Sequence, residues 1–131
     1  MGYTHYWDHV DFTDKQWAKI QVKAIKILEA AKASGLVLVW EDDRPSWPAE
    51  VSIACIRFNG LDDDGHETFM LERMATDFTF CKTARKPYDA AVVAMLIMVA
   101  EVSKRFSWSS DGSIEPEFKA DGEALLKLAG V

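Results

Sequence analysis

The run from Phe78 to Gly112 constrains this chain more than any other. It reads FTFCKTARKPYDAAVVAMLIMVAEVSKRFSWSSDG. An aromatic run leads into a cationic turn of Lys82, Arg85 and Lys86, and Pro87 then opens a very apolar helix. Pro suits a first helical position, because the backbone N–H it lacks has no partner there anyway. Ala90 to Ala100 carries no charge and is apolar on every side. Such a helix must be covered by other elements around most of its circumference. Its eleven residues fall short of the roughly 20 that span a bilayer, so it reads as the pillar of a globular core. The polar turn Ser109-Ser110-Asp111-Gly112 ends the run.

The chain around this pillar fits one domain, residues 1–131. At 131 residues it is long enough to bury a core. Trp17, Ile20, Ala24, Ile27, Leu28 and Ala31 form one stripe of a helix near 13–34. Thr13 and Gln16 make a capping box, Phe12 and Trp17 take the staple positions, and Gly35 supplies the stop. Lys15, Lys19, Lys23, Lys26 and Lys32 line the solvated side. Strand patterns fall near 3–8, 51–58, 66–71, 78–82 and 106–110. Asn59-Gly60 signals a hairpin between the second and third of these. Glu41 to Glu50, with Pro45 and Pro48, reads as an irregular connection. Pro116, Phe118, Leu125, Leu126 and Leu128 suggest a short C-terminal helix, weakened at Gly122. The expected fold is α+β in two layers. A mainly antiparallel sheet of four to five strands packs on two long helices and the short C-terminal one.

Charge and cysteine usage limit the function classes. A formal net charge of −6 disfavours general nucleic-acid or anionic-membrane binding. Cys55 and Cys81 sit in apolar strand-like runs without metal-site spacing, so they read as free thiols in a reducing cytoplasm. The N-terminus lacks the basic and apolar regions of a signal peptide. Asp62, Asp63, Asp64 and Glu67 do not have the spacing of a calcium loop and read as a polar hairpin tip. No metal or cofactor is expected. Serine-hydrolase, Walker, dinucleotide-binding and zinc-protease motifs are absent. A nucleophile–base pair of Cys81 with His66 or His5 has no local support.

The cationic turn is the strongest candidate for a site. Free N–H groups and the positive end of the helix dipole sit beside Lys82, Arg85 and Lys86, with the Thr83 hydroxyl close by. His5, Tyr6, Trp7 and Tyr88 offer stacking surfaces. Ser109, Ser110 and Asp111 offer ribose or amide contacts, and His66 is a further candidate wall. This is the inventory of a nucleotide pocket. Against it stands Asp89, early in the helix, which can neutralise the same end from within and pair with Arg85.

Several strings together resemble a family. Gly2-Tyr3-Thr4-His5-Tyr6-Trp7, Phe58-Asn59-Gly60, His66-Glu67-Thr68-Phe69, Phe80 to Asp89 (FCKTARKPYD) and Ser109-Ser110-Asp111-Gly112 are similar to a group of small proteins encoded by bacteriophages and prophages. The ten-residue FCKTARKPYD string is the specific one. The resemblance implies expression in the cytoplasm of a bacterial host and a part in the contest between phage and host. It brings no reaction, cofactor or catalytic residue. The leading expectation is therefore a phage-encoded protein that sequesters a small anionic, phosphorylated or nucleotide-type ligand, such as a host immune signal. A protein-interaction inhibitor of a host defence protein is the rival reading, and a small nucleotide-processing hydrolase is the third. The apolar helix and the aromatic residues are compatible with a homodimer.

Overall fold

A computed structural model describes residues 3–41, 43–44, 46–111 and 116–131, without the side chains of 76–77 and 116–118. Gly2, Pro45, Gly112 and the side chains of Pro116 and Phe118, singled out above, lie outside what is described. The architecture is α+β. Its strands divide between two antiparallel sheets instead of collecting in one. The first holds β1 (Thr4–His9), β6 (Thr76–Lys82) and β7 (Ser107–Ser110), in the order β6-β1-β7. The second is built on β4 (Cys55–Gly60). One side of β4 takes β5 (Phe69–Glu72), and the other takes β2 (Leu38–Val39) and β3 (Glu50–Val51) end to end.

Helix α1 (Asp14–Ala33) starts as its sequence dictates. The Gln16 N–H donates to Thr13 Oγ1 at 3.1 Å, and the Thr13 N–H donates to Gln16 Oε1 at 3.0 Å. The Phe12 and Trp17 rings stack with centroids 5.7 Å apart, closing the staple. Gly35 follows the helix at φ +92°, a conformation that β-carbon sterics penalise in other residues.

Helix α2 (Asp89–Val102) is buried on nearly all sides, as its composition requires. It packs on α1 and on α3 (Pro116–Ala129), and its first turns meet the three-stranded sheet. Gly122 does not interrupt α3. A β-carbon there would lie 2.5 Å from Val93 Cγ1, so the missing side chain is what lets α3 approach α2.

Two local readings change. The stretch Val51 to Phe58 is a tight reversal, not one strand. The Ser52 hydroxyl accepts the N–H groups of Ala54 and Cys55 at 3.3 and 3.2 Å and turns β3 back into β4. Asn59-Gly60 is not the hairpin turn either. Both residues are buried at the end of β4, and the Asn59 amide grips the far side of the 61–68 loop. It donates to the His66 carbonyl at 2.9 Å and accepts the His66 N–H at 3.1 Å. The acidic residues Asp62–Asp64 form a 3-10 turn between.

Candidate functional site

Strand alternation decides which candidate residues meet. Successive side chains of a strand point to opposite faces. In β1 the burial follows suit: His5, Trp7 and His9 are buried, while Thr4, Tyr6 and Asp8 are half-buried or exposed. The cross-strand partners of β1 extend the two faces, because paired residues share a side. His5 pairs with Cys81 and Ser110; Tyr6 pairs with Phe80 and Ser109. The candidate residues of the N-terminus, the cationic turn and the Ser-Ser-Asp turn are therefore sorted onto two sides of one sheet.

On the inner side, His5, Thr83 and Arg85 converge on Asp89, and Ser110 joins them through His5. His5 Nδ1 lies 2.5 Å from Ser110 Oγ, and His5 Nε2 lies 2.6 Å from Asp89 Oδ1. The Thr83 hydroxyl donates to the same Oδ1 at 2.5 Å. Arg85 Nε stands 3.8 Å from Asp89 Oδ2, with its guanidinium 5.5 Å from the centre of the Tyr3 ring. His5 and Thr83 are fully buried and Asp89 nearly so, whereas Ser110 is half-buried. The Tyr3 and Trp108 rings meet the imidazole edge-on at 5.4 and 6.4 Å.

The backbone that delivers Thr83 and Arg85 is unusual. Ala84 and Arg85 both have positive φ, +52° and +58°. Non-glycine residues seldom enter this region, and two in succession must be held there by their surroundings. The N–H groups of Thr83 and Ala84 both donate to the Tyr3 carbonyl, at 2.9 and 3.1 Å. They tie the turn to the start of β1. Asp89 sits in the first turn of α2, where its charge meets the positive end of the helix dipole. The chain's own carboxylate thus occupies the place expected of a phosphate.

On the outer side lie Tyr6, Ser109 and Asp111, together with Phe78 and Phe80. The Tyr6 hydroxyl donates to Asp111 Oδ1 at 2.9 Å, and the Tyr6 ring stacks on Phe78 at 5.3 Å and 23°. Phe78 and Phe80 remain 67% and 56% exposed. Lys82, opposite Thr4, ends the same row.

The remaining candidates are dispersed. Trp7 is a core residue against Phe69. Tyr88 is fully buried, and its hydroxyl donates to the Glu67 carbonyl at 2.5 Å, which ties the 61–68 loop to α2. Burial raises the Tyr88 phenol well above its ordinary value, and burial pushes the neighbouring Cys81 thiol up to about 12. A thiol so raised is a poor nucleophile. His66 is exposed on the loop, and Lys86 is half-buried with its N–H on the Thr83 carbonyl.

Among the described residues two surface grooves stand out. One, of about 550 Å³, is walled by Leu28, Leu36, Leu38, Ala49 and Val51 between α1 and the strands β2 and β3. The other, of about 280 Å³, lies between α2 and α3 beside Leu36 and Leu125. Neither is lined by a residue of the 82–88 turn.

Asp89, expected as the competitor for the site, is its centre, and Phe78 and Phe80 lie outside the expected set. Period-two alternation was the available signal for the phenylalanines: with Cys81 inward, both must face out. Among the described residues no group of three or more acidic, His or Cys side chains is disposed to hold a metal, and no helix is long and apolar enough to cross a membrane. Comparison with family models, curated proteins and solved structures returned no match.

Proposed function

We propose that this chain works by docking a partner protein on the open outer face of its three-stranded sheet. One observation carries the reading: Phe78 and Phe80 stand exposed beside Tyr6 on a strand whose far edge pairs with no other strand among the described residues. The Lys82 N–H and carbonyl leave β6 on the side away from β1, to the Glu67 side chain at 2.7 Å and the Glu67 N–H at 3.2 Å. Backbone groups alternate along a strand, so those of Phe80, two residues from Lys82, point to the same side; the register shift between Thr79 and Thr76 interrupts the alternation beyond it. An extended segment of a partner can add to this edge and pack on the two rings, the strand-addition mode of peptide recognition. Exposed aromatic side chains are also the commonest anchors of protein interfaces. The resemblance to phage-encoded proteins directs the search to bacterial host proteins, with inhibition of a defence protein as the role such docking would serve.

Small-ligand sequestration has less support. A tightly held small molecule loses most of its surface to a concave site. In the cationic turn Arg85 is met by Asp89, and the turn borders neither groove. The test is capture from a bacterial lysate, identification of the captured protein, and titration with the purified partner. Losing two aromatic anchors at about 2 kcal/mol each weakens binding on the order of a thousand-fold in Phe78→Ser/Phe80→Ser. Arg85→Ala leaves binding intact. Binding that survives the double variant and disappears in Arg85→Ala would overturn the proposal. Calorimetric heat with a nucleotide, abolished in Arg85→Ala, would restore the small-ligand reading.

A further inference from the structure

On the inner side of the same sheet, we propose that Ser110, His5 and Asp89 form a hydroxyl–imidazole–carboxylate relay that makes Ser110 a nucleophile toward small, uncharged carboxylic esters. The chain has no serine-hydrolase motif, but such a relay is defined by geometry and roles, not by sequence order.

In the neutral imidazole the hydrogen-bond chemistry sets the direction of the relay. A carboxylate only accepts hydrogen bonds, so the 2.6 Å contact to Asp89 Oδ1 requires His5 Nε2 to be the protonated nitrogen. In the neutral ring Nδ1 then bears the lone pair, and Nδ1 faces Ser110 Oγ at 2.5 Å. The hydroxyl proton therefore points at a base, as nucleophile activation requires. Each member is held from a second direction. His5 and Ser110 are direct partners across β1 and β7, so the sheet register sets their separation. Asp89 is held by the Thr83 hydroxyl and by its place in the first turn of α2.

Burial is graded along the relay in the useful sense. Asp89 and His5 are sealed, and the half-buried Ser110 is the end that meets solvent. A network serving only to dock α2 on the sheet needs Thr83, His5 and Asp89. It does not need a hydroxyl at the outer nitrogen of the imidazole. Trp108, two residues before Ser110 on the same side of β7, is half-buried and stands edge-on to His5. It offers an apolar wall to an uncharged acyl group.

The reaction balances without any other reagent. Ser110 Oγ attacks the ester carbonyl carbon while its proton passes to His5 Nδ1. The carbon–oxygen bond to the alcohol breaks, and the alcohol leaves with the proton from Nδ1, giving acyl-Ser110. Water then attacks the acyl carbon, with its proton taken by Nδ1. The carboxylic acid leaves and Ser110 Oγ recovers the proton. Ser110 and His5 are the catalytic residues; Asp89 is a positioning residue acting through His5.

A fluorophosphonate probe, which phosphonylates activated serines, tests this on the full chain by intact mass and peptide mapping. The expected result is one adduct on wild type, mapped to Ser110, with Ser109→Ala labelled alike and Ser110→Ala not at all. His5→Gln slows labelling at least about 100-fold, the usual contribution of a general base. Asp89→Asn slows it comparably and changes its pH profile, and Asp89→Glu restores part of the rate. If His5→Gln or Asp89→Asn fails to fold, a normal solvent deuterium isotope effect on wild-type labelling reports the proton transfer instead. A folded wild type with no adduct on Ser110 would overturn the proposal. So would Ser110 labelling that is unchanged in a folded His5→Gln variant, or that lacks an isotope effect.

Discussion

Asp89→Ala is the sharpest single test of what the inner cluster does for the fold. The variant removes the acceptor of two fully buried donors, His5 Nε2 and Thr83 Oγ1. A buried donor left without a partner costs about 1–3 kcal/mol. The Thr83 hydroxyl can rotate and takes the low end; the imidazole is fixed by its ring and takes the middle. Arg85 is a third exposed, so losing its 3.8 Å contact adds little, about 0–1 kcal/mol. Removing the charge from the first turn of α2 adds about 0.3–1 kcal/mol. Relief from burying a carboxylate opposes these losses. The expected net destabilisation is about 3 kcal/mol, a large part of the roughly 5–15 kcal/mol that holds a domain together. With a urea slope of about 1.5–2 kcal/mol per molar, the unfolding midpoint falls by about 1.5–2 M. Asp89→Asn keeps one acceptor oxygen and falls about half as far. Equilibrium urea unfolding followed by tryptophan fluorescence reads both. A midpoint for Asp89→Ala within about 0.3 M of wild type, less than 1 kcal/mol at that slope, would mean the cluster does not hold α2 to the sheet.

Two further outcomes follow from packing and burial. Gly122→Ala gains about 1 kcal/mol of helix propensity but drives a methyl into Val93 and the α2 backbone. Overpacking of about 1–3 kcal/mol wins, so thermal melting falls, and Val93→Ala in the same chain recovers part of the loss. Cys81 contributes to the alkaline limb of stability. Its folded value of about 12 lies above the unfolded value near 9, so the unfolded chain binds fewer protons between them. The contribution is complete below pH 9 and is lost as pH rises toward 12, at about 1.4 kcal/mol per unit. Cys81→Ala removes one such slope between pH 9 and 10, measured by urea unfolding at each pH; an unchanged slope would show that the thiol is not buried as described.

Much of the fold was legible because it rests on short-range rules. Thr13 with Gln16, Phe12 with Trp17, and Gly35 set the bounds of α1 through contacts within a few residues. The all-round apolarity of α2 gave its burial without any knowledge of its neighbours. Failures came where a side chain replaced backbone chemistry. Ser52 turned an apolar run back on itself, and Asn59 was a bracket across a loop instead of a turn residue. Gly122 looked like a weak point because propensity was visible and the Val93 side chain was not. The division of the described strands into two sheets depends on long-range pairing, which no local pattern carries.

The candidate site was legible residue by residue but not as an arrangement. Side-chain chemistry alone places Tyr6, Ser109 and Asp111 in one expected pocket with His5, Thr83 and Ser110, several of them neighbours in sequence. Neighbours on a strand are on opposite faces, so adjacency argues against a shared site. The same alternation makes the two proposals separable. Phe78 and Phe80 face solvent on one side of the sheet, and Ser110, His5 and Asp89 lie on the other. Truncating the phenylalanines leaves the relay in register, because β1 pairs with β7 whatever projects from the outer face of β6. Phe78→Ser/Phe80→Ser should therefore lose partner binding and keep full reactivity toward the fluorophosphonate. Ser110→Ala should do the reverse. A double variant that lost both would couple the faces, and the sheet would then have to be treated as one site.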